Sequence, residues 1–456
     1  MPTRAESRSS RQVSCQETVL SWTDDLPVCT STGLGTSVNQ VYREDGYRKE
    51  EHPFEDRAFR FRHNDNTSLY GVLDGNGGTR AADFAMQRFP AELLLGQLDD
   101  KTDDQDIKDI LLQAFMYVEK GFYEAIDLVL LDKATMELQL QGVSAYEVLT
   151  KYPNLVNKLE QVNAEVATGT CAIIALLRGN RLYVANVGTC RALLVKHRQG
   201  GRGIEVVQLS VDHSLANEDE LLRLVSLGLS LAKLRADGEG AKPLRYTRCI
   251  GNYSLKGGYK ENALLRGAKE EPVVADPEIC GGVEIDSSCL FLMLMSTGLY
   301  QSLQEAGFQD GTNEEIAKMT VQEFRQRTTL DDVAQGVVDR VVRLHRDRYM
   351  SGSDAANACQ KRKDISLLIR NFNHPLGSPI QSRTPNPPES PSETLSGTFS
   401  SSRSSDGGPP TLFKTTRKTV AVDQDGRVEP YVDFADFYRA AEEAQKDRTW
   451  PSDLEY

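Results

Sequence analysis

Four short apolar segments, Thr170 to Leu177, Arg181 to Val187, Ala192 to Lys196 and Glu205 to Leu209, follow one another with only turn residues such as Arg178-Gly179-Asn180 and Gln199 to Gly203 between them. Segments this short, Leu-rich or β-branched and bounded by Gly and Asn, read as strands. Their immediate succession predicts an antiparallel meander. Ser68 to Leu73, Leu290 to Met295 and Ser366 to Arg370 read as strands of the same kind. Helical spacing of three or four appears at Ile107, Ile110, Leu111, Ala114, Phe115, Val118 and Phe122, and again at Val333, Val337, Val338, Val341 and Val342. Strands clustered between long amphipathic helices predict an α+β layered sandwich rather than a parallel βαβ sheet.

Such a sandwich needs a core, and the apolar residues that can supply one stop abruptly. From about Ser21 to Phe372 the chain is patterned, whereas Asn373 to Asp425 is dense in Pro, Ser, Thr and Gly with hardly a long apolar side chain. A segment of that composition cannot offset its ordering entropy, so 373–425 is expected to be a disordered linker, as are residues 1–20. Gly426 to Lys446 regains apolar periodicity.

Charge and cysteine usage narrow the function. Lys plus Arg number 53 against 66 Asp plus Glu, a net charge of −13, which opposes the phosphate-neutralising surface that nucleic-acid binding requires. The longest apolar run, Cys289 to Met295, falls far short of the ~20 residues that span a bilayer, so no membrane insertion is expected. Met1 to Ser14 fits neither a signal nor a transit peptide. The eight cysteines form no C-x-x-C pair and several lie in apolar segments, which predicts free buried thiols in the cytoplasm. The six histidines show no metal-ligand spacing and no G-x-S-x-G elbow exists.

The sharpest local signal is Tyr70-Gly71-Val72-Leu73-Asp74-Gly75-Asn76-Gly77-Gly78, a strand that delivers a carboxylate and then a glycine-rich turn. Alone it reads as an Asp-Gly hairpin turn; in company it can hold a hard cation. That company follows in order: Glu55-Asp56; Thr168 to Ala172; Asn186 to Arg191; Asp212-His213 with Asn217-Glu218 and Arg223; Arg248 to Asn252; Phe291 to Tyr300; and Asp364-Ile365-Ser366.

With these motifs the chain resembles the metal-dependent PPM (type 2C) family of Ser/Thr protein phosphatases. The resemblance implies a four-layer sandwich, two mainly antiparallel sheets flanked by helix pairs. It also implies chemistry on two divalent ions held by carboxylates, with a bound hydroxide attacking phosphorus. Here Asp74 stands at the bridging position, Gly75 can offer its carbonyl, and Asp56 is the further carboxylate near the metals. The other implied positions are changed: Thr189, Thr297, Gln301 and Lys363 stand where metal-binding aspartates would, Asn76 replaces the general-acid histidine, and Glu51 replaces the phosphate-binding arginine. Fewer carboxylates and an added ammonium repel a pair of dications. The expectation is therefore an inactive pseudophosphatase over residues 21–372 without a cofactor. The alternative is a weak phosphatase holding a single divalent ion at Asp56 and Asp74.

The C-terminal stretch Glu429 to Arg439 opens a helix, with Pro430 blocking backward extension and Asp433 able to cap. Tyr431, Val432, Phe434, Phe437 and Tyr438 are the candidate partner-binding residues: an aromatic face at i, i+3 and i+4 reads either as a tail docked on the chain's own core or as a tethered anchor for a partner's groove. This stretch resembles the kinase-binding tail of a catalytically dead family member. That implies a scaffold that binds and helps activate a MAP3K-class kinase, TGF-β-activated kinase, in stress and cytokine signalling. The resemblance also brings in a stress-activated MAP kinase and inhibitor-of-apoptosis proteins, the latter without a sequence signal of their own. Ser378, Thr384 and Ser390 each precede proline and are candidate phosphosites.

Overall fold

The computed structural model describes residues 26–377 apart from 44, 46, 65, 199, 201–202, 236–243 and 353. In chain order the strands and helices are β1 (Thr32–Ser37), β2 (Gln40–Tyr42), β3 (Arg48–Lys49), β4 (Arg57–Asn64), β5 (Thr67–Asn76), α1 (Arg80–Leu94), α2 (Asp104–Leu140), α3 (Ala145–Lys151) and α4 (Pro153–Val166). Then come β6 (Gly169–Arg178), β7 (Arg181–Val187), β8 (Arg191–His197), β9 (Ile204–Gln208), α5 (Glu218–Ser226), α6 (Leu231–Arg235), β10 (Ile250–Gly251), β11 (Glu278–Glu284) and β12 (Cys289–Met295). Last are α7 (Thr297–Glu305), α8 (Thr312–Gln326), α9 (Leu330–Met350), β13 (Lys361–Arg362) and β14 (Ile365–Asn371).

One large sheet runs in the order β11-β7-β6-β5-β4, and the other in the order β1-β14-β12-β8-β9. The ladders within both are antiparallel. The period-two pattern explains how they stack. On β6, Cys171, Ile173, Ala175 and Leu177 face a core that also holds Tyr70, Val72 and Val184 of the same sheet and Ala192, Leu194, Leu292, Leu294 and Leu368 of the other. The alternate residues, Ala172, Ile174 and Leu176, pack with Phe89 and Leu93 of α1 and Leu111, Phe115 and Val118 of α2. Across the middle layer, Leu193, Val195, Met293, Met295, Leu367 and Ile369 pack under Ile316 and Phe324 of α8 and Val333, Val337 and Val341 of α9. Helices, sheet, sheet, helices: the expected α+β four-layer sandwich is the fold.

The expected strands appear as β5, β6, β7, β8, β9, β12 and β14, and the two amphipathic patterns as α2 and α9. The meander needs correction. β6 pairs with β7 and β8 with β9, but β7 and β8 belong to different sheets. The chain crosses between the sheets at Gly188, whose φ of +87° suits glycine and whose absent Cβ would stand 2.2 Å from Cys171 Sγ. His213 fixes the crossing by accepting the Gly188 N–H at its Nδ1, 3.1 Å away. The hairpin reading of Asp74-Gly75 is also overturned: both residues lie inside β5, opposite Cys171 and Thr170, and the chain then enters α1. The described cysteines are free, and all but the half-buried Cys280 are buried.

A buried charge pair anchors α2 to the loop after β10. Lys256, 2% exposed, pairs with Glu119 of α2 and donates to the Cys249 carbonyl at 2.7 Å. Glu119 also accepts the Gly251 N–H at 2.7 Å. Removing one partner leaves the other charge uncompensated. Lys256→Met should therefore lose about 3–5 kcal/mol of stability in denaturant unfolding, and Lys256→Met combined with Glu119→Gln should recover most of that loss. Equal destabilisation in both variants would show that the pair is not what anchors α2.

Candidate functional site

β5 carries Asp74 to the rim of the middle layer, where it is 7% exposed. Its Oδ2 accepts the backbone N–H of Thr297 at 3.0 Å. Thr297 is the first residue of α7, which rises directly from β12 of the opposite sheet. The carboxylate thus takes one of the unpaired amides of a helix N-terminus, where the dipole favours an anion. Asp56, just before β4, is 1% exposed. Neither of its carboxylate oxygens has a hydrogen-bond partner among the described residues. Burial pushes its pKa well above the usual carboxylate range, and the Asp74 charge adds to the rise. Glu55 is also raised by burial, with His52 and the Gly77 and Gly78 amides opposing.

The substituted positions converge on this rim. Thr189 Oγ1 and Thr297 Oγ1 share a hydrogen bond of 2.8 Å, so the two hydroxyls satisfy each other. Tyr300 locks the pair by donating to the Thr189 carbonyl at 2.9 Å, and Arg191, held by Asp212, stacks 3.7 Å from the Tyr300 ring centroid. Gln301 turns along its own helix to Glu305, 2.8 Å away. Asn76 donates to the Asp74 carbonyl at 3.0 Å. Glu51 pairs with Lys361, which holds its carboxyl below the ordinary value. Gly75 and Asp74 share the cleft with Lys363, a half-buried residue whose ammonium makes no ion pair among the described residues.

Two cavities open here. One of about 780 Å³ is lined by Glu51, Glu55, Asp74, Leu244, Arg245, Tyr246 and Lys363 among others. A second of about 520 Å³ is lined by Asp74, Thr189, Arg191, Arg245, Thr297, Gln301 and Lys363. Arg245 and Tyr246 were not singled out in the sequence, where nothing marks them as cleft residues. The role of Asp364 was also missed: its Oδ1 accepts the Asn39 amides at 2.6 and 2.8 Å and its Oδ2 the Glu55 N–H at 2.8 Å, a clamp on the main chain.

The pair of divalent ions implied by the resemblance does not fit these residues. Among the described residues no three His, Cys, Asp or Glu side chains converge in a metal-holding group. A hydroxyl pair closed on itself supplies no anionic ligand, and two dications need several. Lys363 lines both cavities and adds a positive side chain where cations would need anionic ligands. The candidate residues Tyr431, Val432, Phe434, Phe437 and Tyr438, and Ser378, Thr384 and Ser390, lie outside the described residues, as do residues 1–20 and 378–425. The start of the expected linker needs correction, because His374 packs on the Phe324 ring and Leu376 joins the outer core, so the patterned domain extends to Gly377.

Because the folded pKa of Asp56 lies above its unfolded value, stability linked to this group is present at low pH and lost as pH rises through the folded pKa. Asp56→Asn should stabilise the fold at pH 7 by on the order of 1 kcal/mol, about 1–2 °C in melting temperature for a domain of this size, and gain little near pH 4. Thermal unfolding at both pH values measures this; an equal gain at both would rule out a buried, uncompensated charge.

A family model described as protein phosphatase 2C matches residues 47–343, more than half of the chain. A Caenorhabditis elegans protein named TGF-beta-activated kinase 1 and MAP3K7-binding protein 1 is 27% identical over 355 residues, 76% of this chain and 82% of its own length. A probable protein phosphatase 2C 22 of Arabidopsis thaliana is 25% identical over 281 residues, 60% of this chain and 58% of its own. Among solved structures, a serine-threonine phosphatase 2C from Toxoplasma gondii is similar with a TM-score of 0.46 at 16% identity, over 75% of this chain and 94% of that one. The four-layer sandwich, the motifs seated along its rim and the family match together make this chain a member of the protein phosphatase 2C family.

Proposed function

We propose that this chain is a non-catalytic adaptor that binds and helps activate a MAP3K-class kinase, TGF-β-activated kinase, through its C-terminal aromatic segment, in stress and cytokine signalling in the cytoplasm. The observation that carries the non-catalytic reading is the Thr189–Thr297 hydroxyl bond, at the two positions where the resemblance implies metal-binding aspartates. Lys363 in the same cleft, Asn76 in place of the general acid and Glu51 in place of the phosphate clamp point the same way. The partner class is supported by the name of the C. elegans relative and by the Tyr431 to Tyr438 stretch. No described helix is long and apolar enough to cross a membrane.

A second reading rests on Asp56, whose buried carboxylate lacks a hydrogen-bond partner: one divalent ion shared with Asp74 would give weak phosphatase activity. The proline-preceding Ser378, Thr384 and Ser390 suit a stress-activated MAP kinase as a further partner, and inhibitor-of-apoptosis proteins complete the proposed set.

Titration of the full chain against the kinase domain tests the adaptor reading. A buried aromatic anchor contributes about 2 kcal/mol or more, so Phe434→Ala should weaken binding roughly thirtyfold. Asp433→Ala should cost less, on the order of 1 kcal/mol, since it removes a helix cap. Wild-type affinity in Phe434→Ala would sink the partner assignment.

A further inference from the structure

α2 is 37 residues long, roughly 55 Å at 1.5 Å per residue, whereas α1 beside it has 15. Its N-terminal part lies on the sheet through Leu111, Phe115 and Val118. Its C-terminal part packs instead on α4 through Met136, Val162 and Val166. The opposite face of that part is bare: Leu128 is 79%, Leu131 63% and Leu138 69% exposed. With exposed Thr135 between them, these residues recur at three, four and three, the spacing of a heptad seam. Tyr146 and Leu149 of α3, 77% and 67% exposed, add to the apolar surface beyond the end of α2. A groove of about 580 Å³ lined by Ala134, Leu138, Leu140 and Leu159 opens beside it. Large apolar side chains exposed in one patch mark an interaction site.

The charges flanking the seam select what covers it. Asp127 and Asp132 hold the positions on either side of Leu128 and Leu131, and neither makes an ion pair among the described residues. Neighbouring acids are already matched, Glu124 by Lys120 and Glu137 by Lys133. A second copy is disfavoured in either orientation. Parallel pairing would set Asp127 against Asp132, and an antiparallel copy of 124–140 would bring acids and the buried Lys133 but no exposed cation to either residue. The chain's own Tyr431 to Glu443 stretch is also mismatched, since it carries Asp433, Asp436, Glu442 and Glu443. We infer that the Leu128–Leu131–Leu138 seam is a docking surface for a basic amphipathic helix of a partner protein, with Leu-type side chains in the seam and Lys or Arg against Asp127 and Asp132.

The test uses the full chain and two fluorescent heptad peptides with Leu at the seam positions, one with Lys and its twin with Glu at the flanking positions. The Lys peptide should bind, and the Glu twin at least about tenfold more weakly. Leu131→Asp should abolish binding while leaving the melting temperature unchanged, since Leu131 is already exposed. Asp127→Lys with Asp132→Lys should reverse the preference between the peptides. Equal binding of both peptides, or binding that survives Leu131→Asp, would overturn the inference. So would a dimer in sedimentation that Leu131→Asp dissolves, or Lys-peptide binding seen only in Phe434→Ala/Phe437→Ala, because a second copy or the chain's own tail would then be the occupant.

Discussion

Two sheets whose inner faces are apolar can stack only if every charge is expelled to the rim, and in this chain the rim is where β5 and α7 meet. There the Thr297 N–H donates to Asp74, tying the strand of one sheet to the helix that rises from the other. A carboxylate so placed is shielded from water and needs positive charge nearby, or few carboxylates beside it. The family's implied solution is a pair of cations among many aspartates. This chain has the second solution: Thr189 and Thr297 close on each other as neutral groups that need no counter-ion. Asp56 stays buried beside Asp74, and burial together with the Asp74 charge raises its pKa.

Much of the fold was legible because β6, β7, β8 and β12 are apolar on both faces and so stand out in the sequence. β4 was not, since Arg57, Arg60, Arg62 and His63 interrupt Phe59 and Phe61 on a sheet edge. β1 carries Gly33 and Gly35, which signal a turn; the structure uses them because a Cβ at either would strike the backbone of α9. The break between β7 and β8 was invisible because sheet membership depends on what packs across the core, not on the length of the connection. Of the site, the carboxylates and their substituted neighbours could be named by resemblance, but the contacts could not. That Thr189 meets Thr297, and that Asp364 clamps Asn39 and Glu55, follows only from spatial convergence of distant segments.

The layers of the sandwich are held by side chains remote from the rim. Leu292, Leu294 and Leu368 in the middle and Phe291, Phe324 and Val337 outside do not touch the cleft. A sandwich held mainly by packing away from its rim can serve as a platform whatever chemistry the rim supports. The adaptor reading uses it in that way, with recognition carried by the C-terminal stretch and by surfaces such as the far end of α2.

Calorimetric titration of Mn²⁺ into the full chain tests most directly whether the threonines and the lysine at the rim exclude a metal pair. The wild-type protein should give no binding heat that depends on Asp74, whereas Thr297→Asp with Lys363→Asp should create binding that Asp74→Asn then abolishes. Stoichiometric, Asp74-dependent binding of two ions by the wild-type chain would contradict the account.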